Sequence, residues 1–321
     1  MKRFILPLLF SLCLCSCAEP TPEYDEFFYG FDTYISVKVY EDHHNLFNGF
    51  KQKAETFSKE CNRFVESDII GVRKINSSVY PVQWLRVSDD LYDCLKKAFE
   101  YTELLKGYFS IYLGALSHSW DVALKDGQVL SEQDVEISMI YANGTKLEFW
   151  EQGQSVRKSN YGEIDLGAIA KGYYLDYVKK CFDVYDMKKY IVDAGSSSIL
   201  LGEKPTEDGL YTIKIKSVEK TYIESKNTFL STSSIDNQIY TVEGKQYSHI
   251  IDPKTGYPET LNQTCIVLTD SGTLGDVLST SMMLMDIDKV KETEEQFSAK
   301  AIIIREGQII YQNPNIKVVN G

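Results

Sequence analysis

Helix-like and strand-like segments follow one another in this chain without a regular strand-helix-strand beat, and that order restricts the fold most. A doubly wound parallel sheet needs a crossover helix between successive strands, so the irregular order points to an α+β fold instead. The alternation Tyr34-Ile-Ser-Val-Lys-Val-Tyr40 predicts a first strand. Leu46, Phe50, Ala54 and Phe57 recur at three- and four-residue spacing, which predicts a helix from about His43 to Phe64. Ser88 before Asp89 and Asp90 makes an N-cap with an acidic first turn, opening a helix that stops at Gly107. Ser131 and Asp134 fit a capping box for a third. Two further helices are predicted at about Ile169 to Phe182 and Leu274 to Asp286. Strands are predicted at Lys146–Trp150, Ser155–Lys158, Tyr190–Val192, Leu210–Ile215, Phe229–Thr232, Gln263–Leu268 and Lys300–Ile304. No repeat or low-complexity linker divides them, and the expectation is one large domain over residues 28–321.

The N-terminus reads as an export signal. Lys2 and Arg3 precede an apolar run from Phe4 to Leu14, too short for a stable transmembrane helix. The run ends in Leu14-Cys15-Ser16-Cys17, a lipobox pattern with two small residues before the cysteine to be acylated. Residues 1–16 are thus expected to be removed, Cys17 to be lipidated, and residues 17–27 to form a polar tether. The expected location is the extracytoplasmic, periplasmic side of a membrane, held by lipid.

With 34 basic and 46 acidic residues the formal charge is −12, which argues against nucleic acid as a partner and against general adhesion to anionic lipid. Of seven cysteines, Cys61, Cys94, Cys181 and Cys265 lie in the mature body, far apart and without Cys-x-x-Cys spacing. That pattern argues against a zinc site and a disulfide-dependent scaffold, and leaves one or two bridges open in an oxidising compartment.

Three segments carry chemistry. In Glu163-Ile-Asp-Leu-Gly-Ala-Ile-Ala-Lys-Gly-Tyr173 a strand end runs into a helix with a small, glycine-flanked first turn. Its free N–H groups and Lys171 suit a phosphate; the other reading is a glycine-assisted turn with a solvated lysine. The glycine spacing fits neither a Walker loop nor a Rossmann fingerprint. In Gln246-Tyr-Ser-His-Ile-Ile-Asp-Pro-Lys-Thr-Gly-Tyr-Pro258, His249 stands at a strand end, placed for proton transfer or a phosphate contact. Asp252 there reads as a turn-former and Lys254 as a solvated charge. In Gly275-Asp-Val-Leu-Ser-Thr-Ser281, Asp276 and Thr280 share one helix face. They form either a hard oxygen pair suited to Mg²⁺ or a helical contact without metal.

Taken together and in this order, the segments resemble the signature of the ApbE family, the FAD:protein FMN transferases. The family's Asp-Leu-Gly-Gly-Ile-Ala-Lys-Gly, Asn-Ala-Gly-Gly, Ser-His-Ile-x-Asp-Pro-x-Thr-Gly-x-Pro and Asp-Ala-Leu-Ser-Thr-Ala stand here as Asp165–Gly172, Asp193–Ser196, Ser248–Pro258 and Asp276–Ser281. Upstream, Gly107–Leu116 with Trp120 resembles its Gly-Ala-Phe-Asp-Pro-Thr-Val-Gly-Pro-Leu stretch. The likeness spans roughly Phe28 to Asp286, and many family members are also lipoproteins.

The resemblance implies that Phe31, Tyr108, Phe109, Ser110, Asp165, Lys171, His249 and Ile250 bind FAD. It implies a Mg²⁺ site made by the Ala168 carbonyl, Asp276 and Thr280, with His249 and Asp276 catalytic. The implied reaction transfers FMN from FAD to a Thr or Ser hydroxyl of an exported electron-transfer protein, releasing AMP. Two alternatives stay open: a flavin-binding lipoprotein that transfers nothing, and a Mg²⁺-dependent FAD pyrophosphatase. Departures from the family pattern fall at Phe31-Asp32-Thr33, Ser110-Ile111, Gly195-Ser196-Ser197 and Ser233-Ser234-Ile235. Lost glycines would remove φ freedom and close backbone approach around a nucleotide.

Overall fold

The computed structural model describes residues 20–42, 46–66, 68–78 and 83–321. Cys17, the lipobox and His43 and His44 lie outside the described residues. The chain runs β1 (Tyr24–Gly30), β2 (Thr33–Val39), α1 (Phe47–Cys61), α2 (Val72–Asn76), β3 (Leu85–Arg86), α3 (Asp89–Leu104), α4 (Gly114–Lys125) and α5 (Glu132–Gly144). After β4 (Leu147–Trp150), β5 (Ser155–Lys158) and α6 (Ala170–Val184) come β6 (Tyr190–Ala194), β7 (Ser198–Leu201), β8 (Tyr211–Lys214), β9 (Thr221–Ser225) and β10 (Thr228–Ser234). The last third holds β11 (Ile239–Val242), β12 (Lys245–Ser248), β13 (Thr264–Thr269), α7 (Gly272–Met282), α8 (Ile287–Phe297), β14 (Lys300–Arg305), β15 (Gln308–Gln312) and β16 (Lys317–Asn320).

The α+β expectation holds. Eight strands form one sheet in the order β1-β2-β6-β7-β10-β13-β14-β15, each neighbouring pair antiparallel. Because every strand alternates its side chains between faces, each face can bury a separate apolar layer. On one face α1, α3, α6 and α7 close a large core that includes Ile35, Val37, Phe50, Phe57, Leu95, Tyr174 and Val267. On the other, the small sheet β16-β9-β8 covers Ile199, Leu201, Leu230, Ile266, Ile302 and Ile304. A third cluster joins α4 to the β11–β12 hairpin through Leu116, Trp120, Val242, Tyr247 and Ile251.

Local signals set several boundaries as expected. Ser88 Oγ accepts the Leu91 N–H at 3.1 Å and Ser131 Oγ the Asp134 N–H at 3.2 Å, so both predicted N-caps form. The N-terminal boundary differs. β1 starts at Tyr24, inside the stretch expected to be tether, and pairs with β2 along its whole length. Burial supplies the reason: Phe28 is buried in the core, and Tyr24 stacks on Phe47 with ring centroids 3.5 Å apart. Phe31 and Asp32 form the two-residue turn to β2 with φ of 54° and 57°, the left-handed pair that a tight hairpin requires.

Trp120 anchors the third cluster to the loop after β12. It is 1% exposed, stacks near Tyr247 and Tyr257, and donates its indole N–H to the Gly256 carbonyl at 2.8 Å. Trp120→Ala is expected to cost about 3–5 kcal/mol, read as a lower denaturant midpoint at unchanged slope.

Candidate active site

A cavity of about 450 Å³ lies where the Gly107–Leu113 segment, the start of α6, the β10 end, the β11–β12 hairpin and α7 converge. It is lined by Tyr108, Phe109, Ser110, Asp165, Ala168, Lys171, His249, Ile250 and Thr280. Nine of the expected site residues thus meet in one place, from segments up to 172 positions apart (Tyr108 to Thr280). Asp276 is not among the lining residues but sits one turn from Thr280 on α7, buried behind the wall. The structure does not bring Phe31 to the cavity. Its ring packs on Phe57 and Tyr174 at 5.9 and 5.6 Å, at the edge of the core.

The helix starts explain the polar floor. A side chain at Gly172 would meet the Gly272 carbonyl oxygen at 2.0 Å, and one at Gly272 would meet the Gly172 oxygen at 2.5 Å. Only paired glycines let the first turns of α6 and α7 cross this closely. The crossing delivers the Gly172 N–H to Asp276 Oδ2 at 2.7 Å, while Oδ1 accepts from Ser198 and Ser231 at 2.7 and 2.8 Å. Burial raises the Asp276 pKa above the ordinary carboxylate value; the Lys171 charge and these three hydrogen bonds pull it back.

A regular helical turn would send the Gly172 N–H to the Ala168 carbonyl; because it turns to Asp276, that carbonyl keeps its lone pairs. Among the described residues, three or more His, Cys, Asp or Glu side chains are nowhere grouped as for a soft or carboxylate-rich metal site. What the site offers is hard oxygen: a carbonyl, one carboxylate with room on Oδ2, and the Thr280 hydroxyl, 3.1 Å from Ser233 Oγ. That donor set fits Mg²⁺, which keeps several waters and takes few protein ligands. Lys171 lines the same wall half-buried, with no ion pair among the described residues.

His249 follows β12, and its Nδ1 lies 3.4 Å from the Gln238 carbonyl. The Gln238 amide in turn donates to Asp121 at 2.9 Å and Tyr240 at 2.8 Å. The imidazole is exposed at the cavity rim, and partial desolvation by the surrounding wall lowers its pKa below the ordinary value. Asp252 is the turn-former expected, its Oδ1 accepting the Lys254 N–H at 2.8 Å. Lys254 is not simply solvated: its ammonium stands over the Tyr108 ring at 3.6 Å, joining the two loops that frame the cavity.

Sequence reasoning missed Arg63, whose side chain is 9% exposed and pairs with Asp165 at 3.2 Å and Glu163 at 3.8 Å. It follows α1 directly, with partners about a hundred positions away, and carries no local signal. Ser198 did leave one, a lone polar residue heading the apolar run Ile199-Leu200-Leu201, whereas Ser231 sits in the hydroxyl-rich strand Thr228–Ser234 and does not stand out. At the altered glycine turn, Ser196 adopts φ of 60° next to Gly195 at 72°, so the left-handed backbone survives without the second glycine.

The chain belongs to the ApbE family, whose family model matches residues 31–303. A relative from Chlamydia pneumoniae named FAD:protein FMN transferase is 27% identical over 89% of this chain and 91% of its own. One of the same name from Haemophilus influenzae is 25% identical over 85% of this chain and 80% of its own. The fold also matches the ApbE protein of Thermotoga maritima, at a TM-score of 0.76, 24% identity, 91% of this chain and 97% of that one. The flavin transferase ApbE of Vibrio cholerae matches at 0.73 and 20% identity, over 92% and 96% of the two chains.

Proposed function

We propose that this ApbE-family chain is a transferase that moves FMN from FAD to a Thr or Ser hydroxyl of an exported acceptor protein, releasing AMP. The observation that carries this reading is the convergence of Lys171, Thr280, His249 and the Tyr108–Ser110 segment on one cavity, with Asp276 directly behind it. Relatives named FAD:protein FMN transferase support the same chemistry. Tyr108 and Phe109 supply aromatic surface for a flavin, and Lys171 with the α6 N-terminus supplies positive charge for a diphosphate. Mg²⁺, held by the Ala168 carbonyl, Asp276 and Thr280, would offset charge on the transferring phosphoryl group. Because FAD carries its own activated diphosphate, the chemistry suits an enzyme held outside the cytoplasm through a lipid on Cys17.

Product analysis separates this reading from the alternatives. Transfer yields AMP matched by flavin fixed to the acceptor; hydrolysis yields AMP matched by free FMN; binding alone leaves FAD intact.

His249 is the proton acceptor in this account, with Nδ1 tied to Gln238 and Nε2 free to face the substrate hydroxyl. Its depressed pKa keeps it neutral at pH 7, so turnover should fall as pH drops below about 6.5 through that pKa. His249→Gln should lower the rate by roughly 10²–10⁴-fold and abolish this acid limb. A rate that instead rises on acidification would make the imidazolium a phosphate contact and not a base.

A further inference from the structure

We propose that Cys61 and Cys94 are a disulfide site, oxidised as the exported chain folds, that staples the end of α1 to α3. Cys61 is the last residue of α1 and continues the stripe of Phe47, Phe50, Ala54 and Phe57 that faces the core. Cys94 lies on the buried stripe of α3 with Leu91, Leu95 and Ala98. These two helices pack together: Lys53 of α1 pairs with Asp90 of α3, and Cys61 and Cys94 lie near enough for their thiols to perturb each other. Of the four described cysteines, Cys265 is fully buried with Glu294 as its charged neighbour, and Cys181 lies beside Tyr177 on α6.

Burial pushes the Cys61 thiol well up, so its reactive thiolate is scarce once α1 and α3 have closed. The exchange therefore belongs to folding. One cysteine thiolate attacks oxidised glutathione or an equivalent disulfide oxidant, releasing one glutathione thiolate. The other attacks the mixed disulfide and releases the second. Two electrons and the two cysteine protons leave with the two released thiols. The site consequence is local, because Arg63, two residues after Cys61, holds Asp165 and Glu163 at the cavity wall. The bridge fixes the position from which Arg63 reaches.

The test needs neither export nor activity. Protein lacking residues 1–17 is refolded from denaturant with reduced and oxidised glutathione, or with reductant alone, then alkylated under denaturing conditions. The expected product of the first arm has two alkylated cysteines, Cys181 and Cys265, and one linked peptide pair joining Cys61 to Cys94. Reduction should lower its Tm and should leave the Tm of a Cys61→Ala, Cys94→Ala double variant unchanged. Four alkylated cysteines after oxidative refolding, a bridge to Cys181 or Cys265, or a wild-type Tm indifferent to reduction would each overturn the proposal.

Discussion

Replacing Gly172 with alanine is expected to destabilise the protein and silence its site, although alanine is the better helix former. Propensity alone favours the change by about 1 kcal/mol. The added carbon, however, would lie 2.0 Å from the Gly272 carbonyl oxygen and 2.4 Å from its carbon. Both are backbone atoms at the start of another helix, so no rotamer relieves the clash and α6 must move off α7. Overpacking of this kind costs about 1–3 kcal/mol, and a backbone-to-backbone clash belongs at or above the upper end. The separation also removes the Gly172 N–H from Asp276 Oδ2, leaving a buried carboxylate short of a donor. A lower denaturant midpoint together with lost turnover is the predicted result. A variant as stable as the wild type would show that the glycine crossing does not hold the two helices.

Asp276→Asn is expected to separate catalysis from folding at the same spot. The Gly172 N–H can only donate, so the amide oxygen takes its place opposite that group. The hydroxyls of Ser198 and Ser231 can turn to accept from the amide nitrogen. Stability should therefore change little at pH 7. It should even gain from losing a buried charge: the Asp276 pKa is raised, so its contribution is full below the ordinary value of 3.8 and is lost as pH rises through the folded value. Turnover should fall on the order of 10²–10³-fold, as when one electrostatic stabiliser is removed from a preorganised site. Mg²⁺ should stabilise the wild type by about 2.7 kcal/mol at a hundredfold excess over Kd, read as a Tm that rises with its concentration. In the Asn variant that rise should shrink or vanish. An equal rise in both proteins would remove Asp276 from the cation site.

Much of this was legible in the chain because short-range rules govern it. Capping at Ser88 and Ser131, the α1 stripe and the alternation in Thr33–Val39 each depend on neighbours within a turn or a pleat. The three chemical segments could be read for the same reason, since each carries its own turn or helix start. What stayed hidden depends on tertiary pairing. Helix α4 shows no cap, with Leu113 before it making no side-chain cap bond, and it is held instead by the Trp120 cluster. Strand β1 hides in an acidic aromatic run that only its pairing with β2 reveals. Arg63, Asp121 and Gln238 acquire meaning only from partners far along the chain. Phe31 shows the converse, a position matched by sequence whose ring the fold turns into the core rather than the cavity.

The central claim is that this cavity joins FMN to a protein hydroxyl, and intact-mass measurement of the acceptor tests it most directly. Protein lacking residues 1–17 is mixed with FAD, Mg²⁺ and a flavin-accepting electron-transfer domain, alongside the same domain with its acceptor threonine changed to alanine. The account predicts a gain of one FMN minus one water on the first domain and none on the second. Unmodified acceptor with FAD either intact or split into free FMN and AMP would contradict it.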